Sequence, residues 1–322
     1  MPSARPGAVA VSVGVSLPEA VVANAEIEER LGLAPGWIER RTGIETRRRA
    51  GADERLQTHA TAAARQALER AGVDGEAVEL VIVATTTPDE IMPATAPLVA
   101  RDLGAVRAGA FDLSAACTGF LSALSVAAAQ IESGRVGTAV IVGADLMSRI
   151  IDPQDRSTAV VFGDGAGAVV LRATETDSHI GPVILGADGS GADHIQVLRE
   201  DGTIRMRGHE TFREAVATLS LCTEQAIQAA DIGLDEIDLF VYHQANGRIL
   251  TAVGERLGLD RDKVVDCIAH LGNTTAATLP LALDAAARDG RLRPGAKVLL
   301  GAFGAGFTWG ATVMTWNPPT EP

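Results

Sequence analysis

The sequence predicts a layered α/β fold built from two similar halves. Segments from the first part of this 322-residue chain recur later, in the same order and at nearly one spacing. "AVELVIVATTT" (77–87) is echoed by "EIDLFVYHQAN" (236–246), and "GTAVIVGADL" (137–146) is echoed by "GAKVLLGAFG" (295–304). The helical stretches that lie between these segments match as well. An ordered repeat of this kind indicates two homologous halves.

Each half alternates strand and helix. "VELVIVAT" and "TAVIVGA" are continuous apolar runs rich in Val and Ile, which is typical of parallel strands buried on both faces. The helices between them end at Gly134 and Gly290, because glycine is common just beyond a helix end. Right-handed crossovers place such helices against the sheets. We therefore predict two sheets with buried helices between them, from halves at residues 1–173 and 174–322.

The composition indicates a soluble globular protein, with 47% hydrophobic and 21% charged residues. "MPSARPGAVAVSVG" lacks the apolar core of a signal peptide, and no apolar run approaches the roughly 20 residues that span a bilayer. Three cysteines without paired spacing favour a reducing compartment. The net charge of −13 argues against a nucleic-acid partner. We expect a cytoplasmic protein without membrane insertion.

Cys117 lies among small residues where the first buried helix is predicted to begin. Free backbone N–H groups and the helix dipole favour negative charge there, so we expect a readily formed thiolate. Aligning the helix ends at Gly134 and Gly290 gives a spacing of 156 residues, which pairs Cys117 with Asn273. His243 directly follows a predicted strand, at the edge where α/β sheets hold ligands.

Cys117, His243 and Asn273 are therefore predicted to meet at one thioester-sized cavity. A cysteine beside a histidine is an arrangement for acyl transfer. Asn273 is neutral and can act only through hydrogen bonds, and together with His243 it would place two donors on one enolate oxygen. Cys222 and Cys267 are predicted to be small core residues.

Five segments resemble, in order and spacing, the signature segments of the beta-ketoacyl-acyl-carrier-protein synthase III family, a branch of the thiolase superfamily. They are "LSAACTGF", "DRSTAVVFGDGAGAVVL", "YHQANGRI", "HLGNTTAATLP" and "FGAGFTWG". The resemblance covers nearly the whole chain. It implies a thiolase-like layered α/β/α/β/α fold from two pseudo-twofold-related halves.

The resemblance also implies a reaction. Cys117 would take an acyl group from an acyl-CoA, and malonyl-acyl-carrier-protein would then bind. His243 and Asn273 would stabilise the enolate as carbon dioxide leaves, giving a 3-ketoacyl-acyl-carrier-protein. The oxyanion would lie between the backbone N–H groups of Cys117 and Ala305. The resemblance implies neither a metal nor another cofactor.

Binding residues follow from the same resemblance. Trp37, Arg41 and Arg156 match positions that enclose the adenine of coenzyme A. Gly208 and Phe212 match positions along the pantetheine tunnel.

The resemblance further implies a homodimer and a carrier-protein surface. Met92 matches a residue that closes the acyl pocket of the partner subunit. Arg213, Arg248 and Arg256 match the cations that contact acyl carrier protein.

The chain departs from the family pattern at several positions. Ala305 replaces a common glycine, Thr118 a common alanine, and Glu255 a common lysine. His209 stands where Asn is frequent, and Leu271 stands where a ring side chain is usual. His209, Leu271 and Met92 leave the choice of acyl primer open. The sequence also does not decide whether the pathway belongs to primary or to secondary metabolism.

Two other functions stay open from the sequence. The first is an acyltransferase, or a condensing relative that does not decarboxylate, although such relatives often have Asp or Glu at the position of Asn273. The second is a non-catalytic structural homologue in a synthase complex, which would not require Cys117, His243 and Asn273 together.

Overall fold

The computed structural model describes residues 6–318, which form a mixed α/β fold. The strands in that range are β1 (Gly7–Ser16), β2 (Val21–Ala23), β3 (Thr46–Arg48), β4 (Leu80–Ala84), β5 (Gly109–Leu113), β6 (Thr138–Leu146), β7 (Asp164–Thr174), β8 (Ile184–Ala187), β9 (Ile195–Val197), β10 (Ile204–Met206), β11 (Leu239–Tyr242), β12 (Lys297–Gly304) and β13 (Thr308–Thr315). The α-helices are α1 (Asn24–Leu31), α2 (Trp37–Thr42), α3 (Leu56–Ala71), α4 (Thr95–Leu103), α5 (Gly119–Glu132), α6 (Gly208–Ala229), α7 (Gly247–Leu257), α8 (Ile268–Leu271) and α9 (Thr278–Arg288).

Two large sheets share one strand order. The first runs β1-β7-β6-β4-β5, and the second, read from its opposite edge, runs β8-β13-β12-β11. Each has a parallel pair, β4–β6 or β11–β12, followed by antiparallel partners. The place of β5 is taken in the second sheet by a single bridge between Phe240 and Val264. The two sheets are therefore topological copies, as the repeat predicted.

The elements form five layers. Helices α3 and α4 cover the outer face of the first sheet, and their core includes Val81 and Val140. Helices α5 and α9 lie between the sheets, where Leu124 and Leu283 share a core with residues of both. Helices α6 and α7 cover the second sheet from outside. The predicted α/β/α/β/α fold is confirmed.

Small residues allow the buried helices to lie this close to the strands. A Cβ placed on Gly119 of α5 would lie 3.1 Å from the Cβ of Ala84 in β4. A Cβ placed on Gly143 of β6 would lie 2.1 Å from the carbonyl oxygen of Ala276, just before α9. The strands and the helix starts therefore touch through their backbones.

The structure corrects the alignment of the two halves. Strands β4 and β11 start 159 residues apart, as do β6 and β12, and as do helices α5 and α9. The 3-10 turns before those helices, Ala116–Thr118 and Thr275–Ala277, have the same spacing. Their first residues both have positive φ angles, 45° and 49°. Cys117 therefore corresponds to Ala276 and not to Asn273.

The error came from aligning helix ends. Helix α5 has 14 residues and α9 has 11, so their terminal glycines, Gly134 and Gly290, are three residues closer than their starts. The predicted boundary at 173/174 lies at the end of β7, and it stays a prediction that the matching strand orders support. Between residues 6 and 318, no helix is both long and apolar enough to cross a bilayer.

We expect Gly14→Ala to destabilise the fold. Helix α3 packs on β1 at this glycine, and an added Cβ would lie 2.4 Å from the carbonyl oxygen of Ala63 and from the nitrogen of Ala67. Overpacking of this kind costs about 1–3 kcal/mol in free energy of unfolding. The control is Gly254→Ala in α7, where an added Cβ meets nothing within 4 Å and removing a helical glycine stabilises. Urea unfolding measures both variants against the wild type. If the midpoint falls in both variants, or in neither, the close contact between Gly14 and α3 is contradicted.

Candidate active site

A cavity of about 320 Å³ contains all three predicted reactive side chains, Cys117, His243 and Asn273. Cys117 lies in the turn before α5, His243 follows β11, and Asn273 precedes the equivalent turn before α9. Because the helix starts and the strand ends meet at the middle of the molecule, three residues far apart in sequence line one space. The structure brings them together as predicted.

The turn that carries Cys117 lies directly against the end of β12. A Cβ on Gly304 would lie 2.8 Å from the Cβ of Cys117 and 3.0 Å from its backbone nitrogen. Among the described residues, the N–H groups of Cys117 and of neighbouring Ala305 donate to no other residue. Ala305 also lines the cavity. Two free backbone donors therefore flank the thiol, as an oxyanion hole requires.

Thr118 joins this turn to the opposite loop. Its hydroxyl donates to the carbonyl oxygen of Ala115 at 2.7 Å and lies 2.8 Å from the hydroxyl of Thr308. The Thr308 hydroxyl in turn lies 3.1 Å from the carbonyl oxygen of Ala305. Thr118, one of the departures from the family pattern, thus links the turn of Cys117 to the loop of Ala305.

The thiol of Cys117 is less acidic than the sequence led us to expect. Burial, with a smaller contribution from the Asp145 carboxylate, raises the pKa of Cys117 to about 12. The start of the buried helix is present as predicted, but burial disfavours the charged thiolate. The thiol is therefore protonated at neutral pH, contrary to the expectation of a readily formed thiolate.

His243 is a neutral imidazole. It is 2% exposed, and neither ring nitrogen has a hydrogen-bond partner within the described part of the chain. Burial lowers the pKa of His243 to about 3. A neutral imidazole carries one N–H donor and one acceptor nitrogen. Neither nitrogen is therefore engaged by another group of the described chain.

Asn273 is held by contacts to both halves. Its amide oxygen accepts the N–H of Thr275 at 2.9 Å, which leaves the amide NH₂ as its free group. Its backbone N–H donates to the carbonyl oxygen of Val161, and its carbonyl oxygen accepts the N–H of Gly163, both at 2.9 Å. The side chain is thus positioned to donate.

The remaining cavity wall is largely apolar. Gly208 and Phe212 line it as predicted, and a Cβ on Gly208 would meet nothing within 4 Å. Sequence reasoning missed most of the wall, because it comes from the short β9–β10 hairpin and from the segment between β6 and β7. These residues include Met147, Ile150, Phe162, Ile195, Ile204 and Met206. His209, Leu271 and Met92 are not part of this lining.

Trp37 lies between two cations, outside the cavity lining. The guanidinium carbon of Arg41 is 5.4 Å from the centroid of the Trp37 ring, and that of Arg156 is 5.7 Å away. Both distances are within the range of a cation–π contact. The structure therefore brings together the three residues predicted to enclose a flat base.

The predicted carrier-binding arginines are exposed on adjacent helices. Arg213 is on α6, and Arg248 and Arg256 are on α7, which packs against α6. Across residues 6–318 none of the three forms an ion pair. Met92 is 84% exposed and Ile91 is 92% exposed. In the same described range, no group of three or more His, Cys, Asp or Glu side chains could hold a metal ion.

Family comparisons match most of this architecture. The family model described as 3-oxoacyl-[acyl-carrier-protein (ACP)] synthase III matches residues 111–189, and its C-terminal counterpart matches residues 227–316. Beta-ketoacyl-[acyl-carrier-protein] synthase III 2 of Streptomyces coelicolor is 46% identical over 316 residues, covering 97% of this chain and 95% of the relative. Beta-ketoacyl-[acyl-carrier-protein] synthase III of Erythrobacter litoralis is 44% identical over 312 residues, covering 94% and 97%.

Solved structures of similar proteins have the same fold as this chain. The 3-oxoacyl-[acyl-carrier-protein] synthase III from Aquifex aeolicus aligns with a TM-score of 0.93 at 39% identity, covering 96% of this chain and 100% of that one. The priming beta-ketosynthase from the R1128 polyketide biosynthetic pathway aligns with a TM-score of 0.94 at 37% identity, covering 98% of each chain. The resemblance noted in the sequence is confirmed.

The burial of His243 predicts a loss of stability in acid. Its pKa is about 3 in the folded chain, below the ordinary value near 6.5, so the unfolded chain binds a proton first as the pH falls. Stability from this group is complete above pH 6.5 and is lost toward pH 3. Between pH 7 and pH 5 the wild type should lose about 2 kcal/mol more than His243→Gln. Urea titrations at both pH values measure this, and equal losses would contradict it.

Gly304→Ala should prevent acyl transfer to Cys117. The added methyl group would lie 2.8 Å from the Cys117 Cβ and beside its backbone N–H, so the thiol and the oxyanion donor are both obstructed. Losing one oxyanion donor costs about 10²–10³ in rate. Acylation by an acyl-CoA can be followed by intact mass, with Gly254→Ala as the control. Acylation at the wild-type rate in Gly304→Ala would show that this contact is unimportant.

Proposed function

This chain belongs to the 3-oxoacyl-[acyl-carrier-protein] synthase III family, and we propose that it condenses an acyl group held on Cys117 with malonyl-acyl-carrier-protein. The chain is accordingly an acyltransferase of the condensing type, which initiates fatty-acid or polyketide synthesis. The observation that carries the residue assignment is the single cavity lined by Cys117, His243 and Asn273. The roles of individual residues below are part of the proposal.

The first step is acyl transfer to Cys117. The thiol attacks the thioester carbonyl of an acyl-CoA, and the oxyanion accepts the free N–H groups of Cys117 and Ala305. Because the thiol is protonated and His243 is neutral, the imidazole can accept the thiol proton and return it to the leaving CoA sulfur. In the described structure neither ring nitrogen of His243 has a hydrogen-bond partner, so its acceptor nitrogen is not occupied by another group.

The second step is decarboxylation and condensation. The malonyl group loses carbon dioxide, and the electron pair of the broken C–C bond passes into an enolate. The NH₂ of Asn273 and one N–H of His243 donate to the enolate oxygen. The enolate carbon attacks the acyl carbonyl, and Cys117 leaves as a thiolate that solvent reprotonates. The product is a 3-ketoacyl-acyl-carrier-protein.

Substrate binding is proposed to use the elements around the cavity. Trp37, Arg41 and Arg156 would stack on the adenine of coenzyme A, and Gly208 and Phe212 would contact the pantetheine arm. The apolar wall supports an alkyl acyl group. No cofactor beyond these substrates is proposed.

Docking of the acidic carrier protein is proposed on Arg213, Arg248 and Arg256. Their exposure without ion pairs leaves their charges free for an acidic partner. The exposed Glu214 and Glu255 lie next to Arg213 and Arg256 in sequence and reduce the local positive charge.

A homodimer and a cytoplasmic location complete the proposal. Strand β5 is at the edge of the first sheet, and exposed sheet edges are usually covered. Phe111 in β5 is 41% exposed and nearby Val106 is 81% exposed, as is typical of an interface. Met92, exposed in one subunit, would then contact the acyl pocket of the other.

Incubation with acyl-CoAs tests the proposed roles. The wild type should gain the mass of the acyl group, and Cys117→Ala should not, while the control Cys222→Ala, at a fully buried core position, should still gain it. Asn273→Ala should keep acylation but release carbon dioxide from malonyl-acyl-carrier-protein about 10²–10³ times more slowly. His243→Ala should slow both acylation and carbon dioxide release, because the imidazole acts in both steps. No mass gain with any acyl-CoA, or a gain that survives Cys117→Ala, would overturn the proposal.

A further inference from the structure

A fully buried carboxylate, Asp145, lies at the end of β6 and has no role in the steps above. It is 0% exposed, and within residues 6–318 it forms no ion pair. Six donors contact it instead. They are the hydroxyl groups of Thr85, Thr86, Thr87 and Thr275 and the backbone N–H groups of Thr86 and Ala276.

Two of these hydroxyl groups are also held by backbone donors. The Thr87 hydroxyl accepts the N–H of Leu146 at 2.8 Å, and the Thr85 hydroxyl accepts the N–H of Thr87 at 3.1 Å. Each still has its own hydrogen to donate to the carboxylate. Burial raises the pKa of Asp145, and these hydrogen bonds oppose that rise by stabilising the ionised form. The surroundings of Asp145 are those of a bound anion.

The repeat explains why an anion is bound at this point. At the spacing of 159 residues, Ala276 corresponds to Cys117, and Asp145 corresponds to Gly304. In the second half, the N–H of Ala276 donates to the Asp145 carboxylate at 3.2 Å. In the first half, the N–H of Cys117 donates to no other residue between positions 6 and 318, and Gly304 beside it has no side chain. The turn before the buried helix therefore has its N–H bound by a carboxylate in the second half, whereas the equivalent N–H in the first half is left for a substrate.

Asp145 is connected to Asn273 through one residue. The hydroxyl of Thr275 donates to Asp145, and the N–H of Thr275 donates at 2.9 Å to the amide oxygen of Asn273. Thr275 has a φ of 49°, a conformation that β-branched residues rarely adopt. Thr275 contacts the carboxylate from that conformation, and its N–H meets the oxygen of the Asn273 amide, which leaves the NH₂ end toward the cavity.

We propose that Asp145 is a positioning residue for Asn273, because its carboxylate accepts the N–H of Ala276, the counterpart of the Cys117 N–H, and fixes the turn that orients the Asn273 amide. This inference rests on the proposed function. The counterpart of the Ala305 N–H, that of Leu146, donates instead to the Thr87 hydroxyl. The N–H of Cys117 is thus left for a substrate oxyanion, and the equivalent N–H of Ala276 is bound by Asp145.

The primary test is Asp145→Asn, with Asp284→Asn as the matched control. Asp284 is a buried carboxylate, 3% exposed, farther along α9, paired with Arg70 and Arg288. Asp145→Asn should slow carbon dioxide release from malonyl-acyl-carrier-protein about 10–100-fold, as small misplacements of reacting groups do. Acylation of Cys117 should change less than about threefold, because its own donors stay in place. Asp284→Asn should change neither rate.

A pH profile separates positioning from general damage. The Asp145 carboxylate contributes to the raised pKa of Cys117. In the Asp145→Asn variant, iodoacetamide should therefore alkylate Cys117 faster than in the wild type between pH 8 and 10. Alkylation at Cys222, which is fully buried, reports unfolding and should not change. An unchanged Cys117 profile with an unchanged rate of carbon dioxide release would overturn the inference.

A second pair of variants applies if Asp145→Asn fails to fold. Thr275→Val removes only the hydroxyl that contacts Asp145, and Thr275→Ser keeps it. Thr275→Val should slow carbon dioxide release about tenfold or more, and Thr275→Ser should restore most of the rate. Equal rates in these two variants would overturn the inference. Failure of the proposed function itself would differ, because the wild type would then show no acylation at Cys117.

Discussion

Backbone-to-backbone contact between the two buried helices and the central strands is the constraint on which the rest of this structure depends. Where α5 and α9 begin, the neighbouring strands carry Gly304 and Gly143, and an added Cβ would overlap the helix turns at both places. This contact brings strand ends and helix starts from both halves to one point. Cys117, His243 and Asn273 can meet because no side chains separate the backbones that carry them.

The chemistry of the site follows from its enclosure. Burial keeps Cys117 as a thiol and His243 as a neutral imidazole, so the resting site holds no ion pair of its own. Charge appears only when substrate binds, on oxygens that face preorganised N–H groups. Those donors were ordered during folding, so little reorganisation is needed as the charge develops. Burial, with a smaller contribution from the Asp145 carboxylate, keeps the nucleophile protonated until that point.

The sequence predicted the fold because the buried strands carry continuous Val and Ile runs and because both halves repeat them. It misaligned the helices by three residues, since glycines mark where a helix ends but not where it begins. Cys117 and His243 could be found from their places at a helix start and a strand end, whereas Asn273 was reached through the misaligned repeat and the family resemblance. The stacking of Arg41 on Trp37 came from family resemblance alone. Asp145 could have been noticed in the sequence as an acidic residue in an apolar strand. Its hydrogen-bond partners could not be predicted, because they come from segments that are distant in sequence.

The β9–β10 hairpin pairs with no other strand in the described chain, yet it supplies much of the apolar cavity wall. The floor of the cavity is different, because Gly304 and the helix turns leave no space for another atom. A larger side chain in the floor would overlap the turn of Cys117, whereas a side chain of another size in the hairpin would change the wall without moving the sheets. The shape of the acyl pocket can therefore vary through the hairpin independently of the reacting groups.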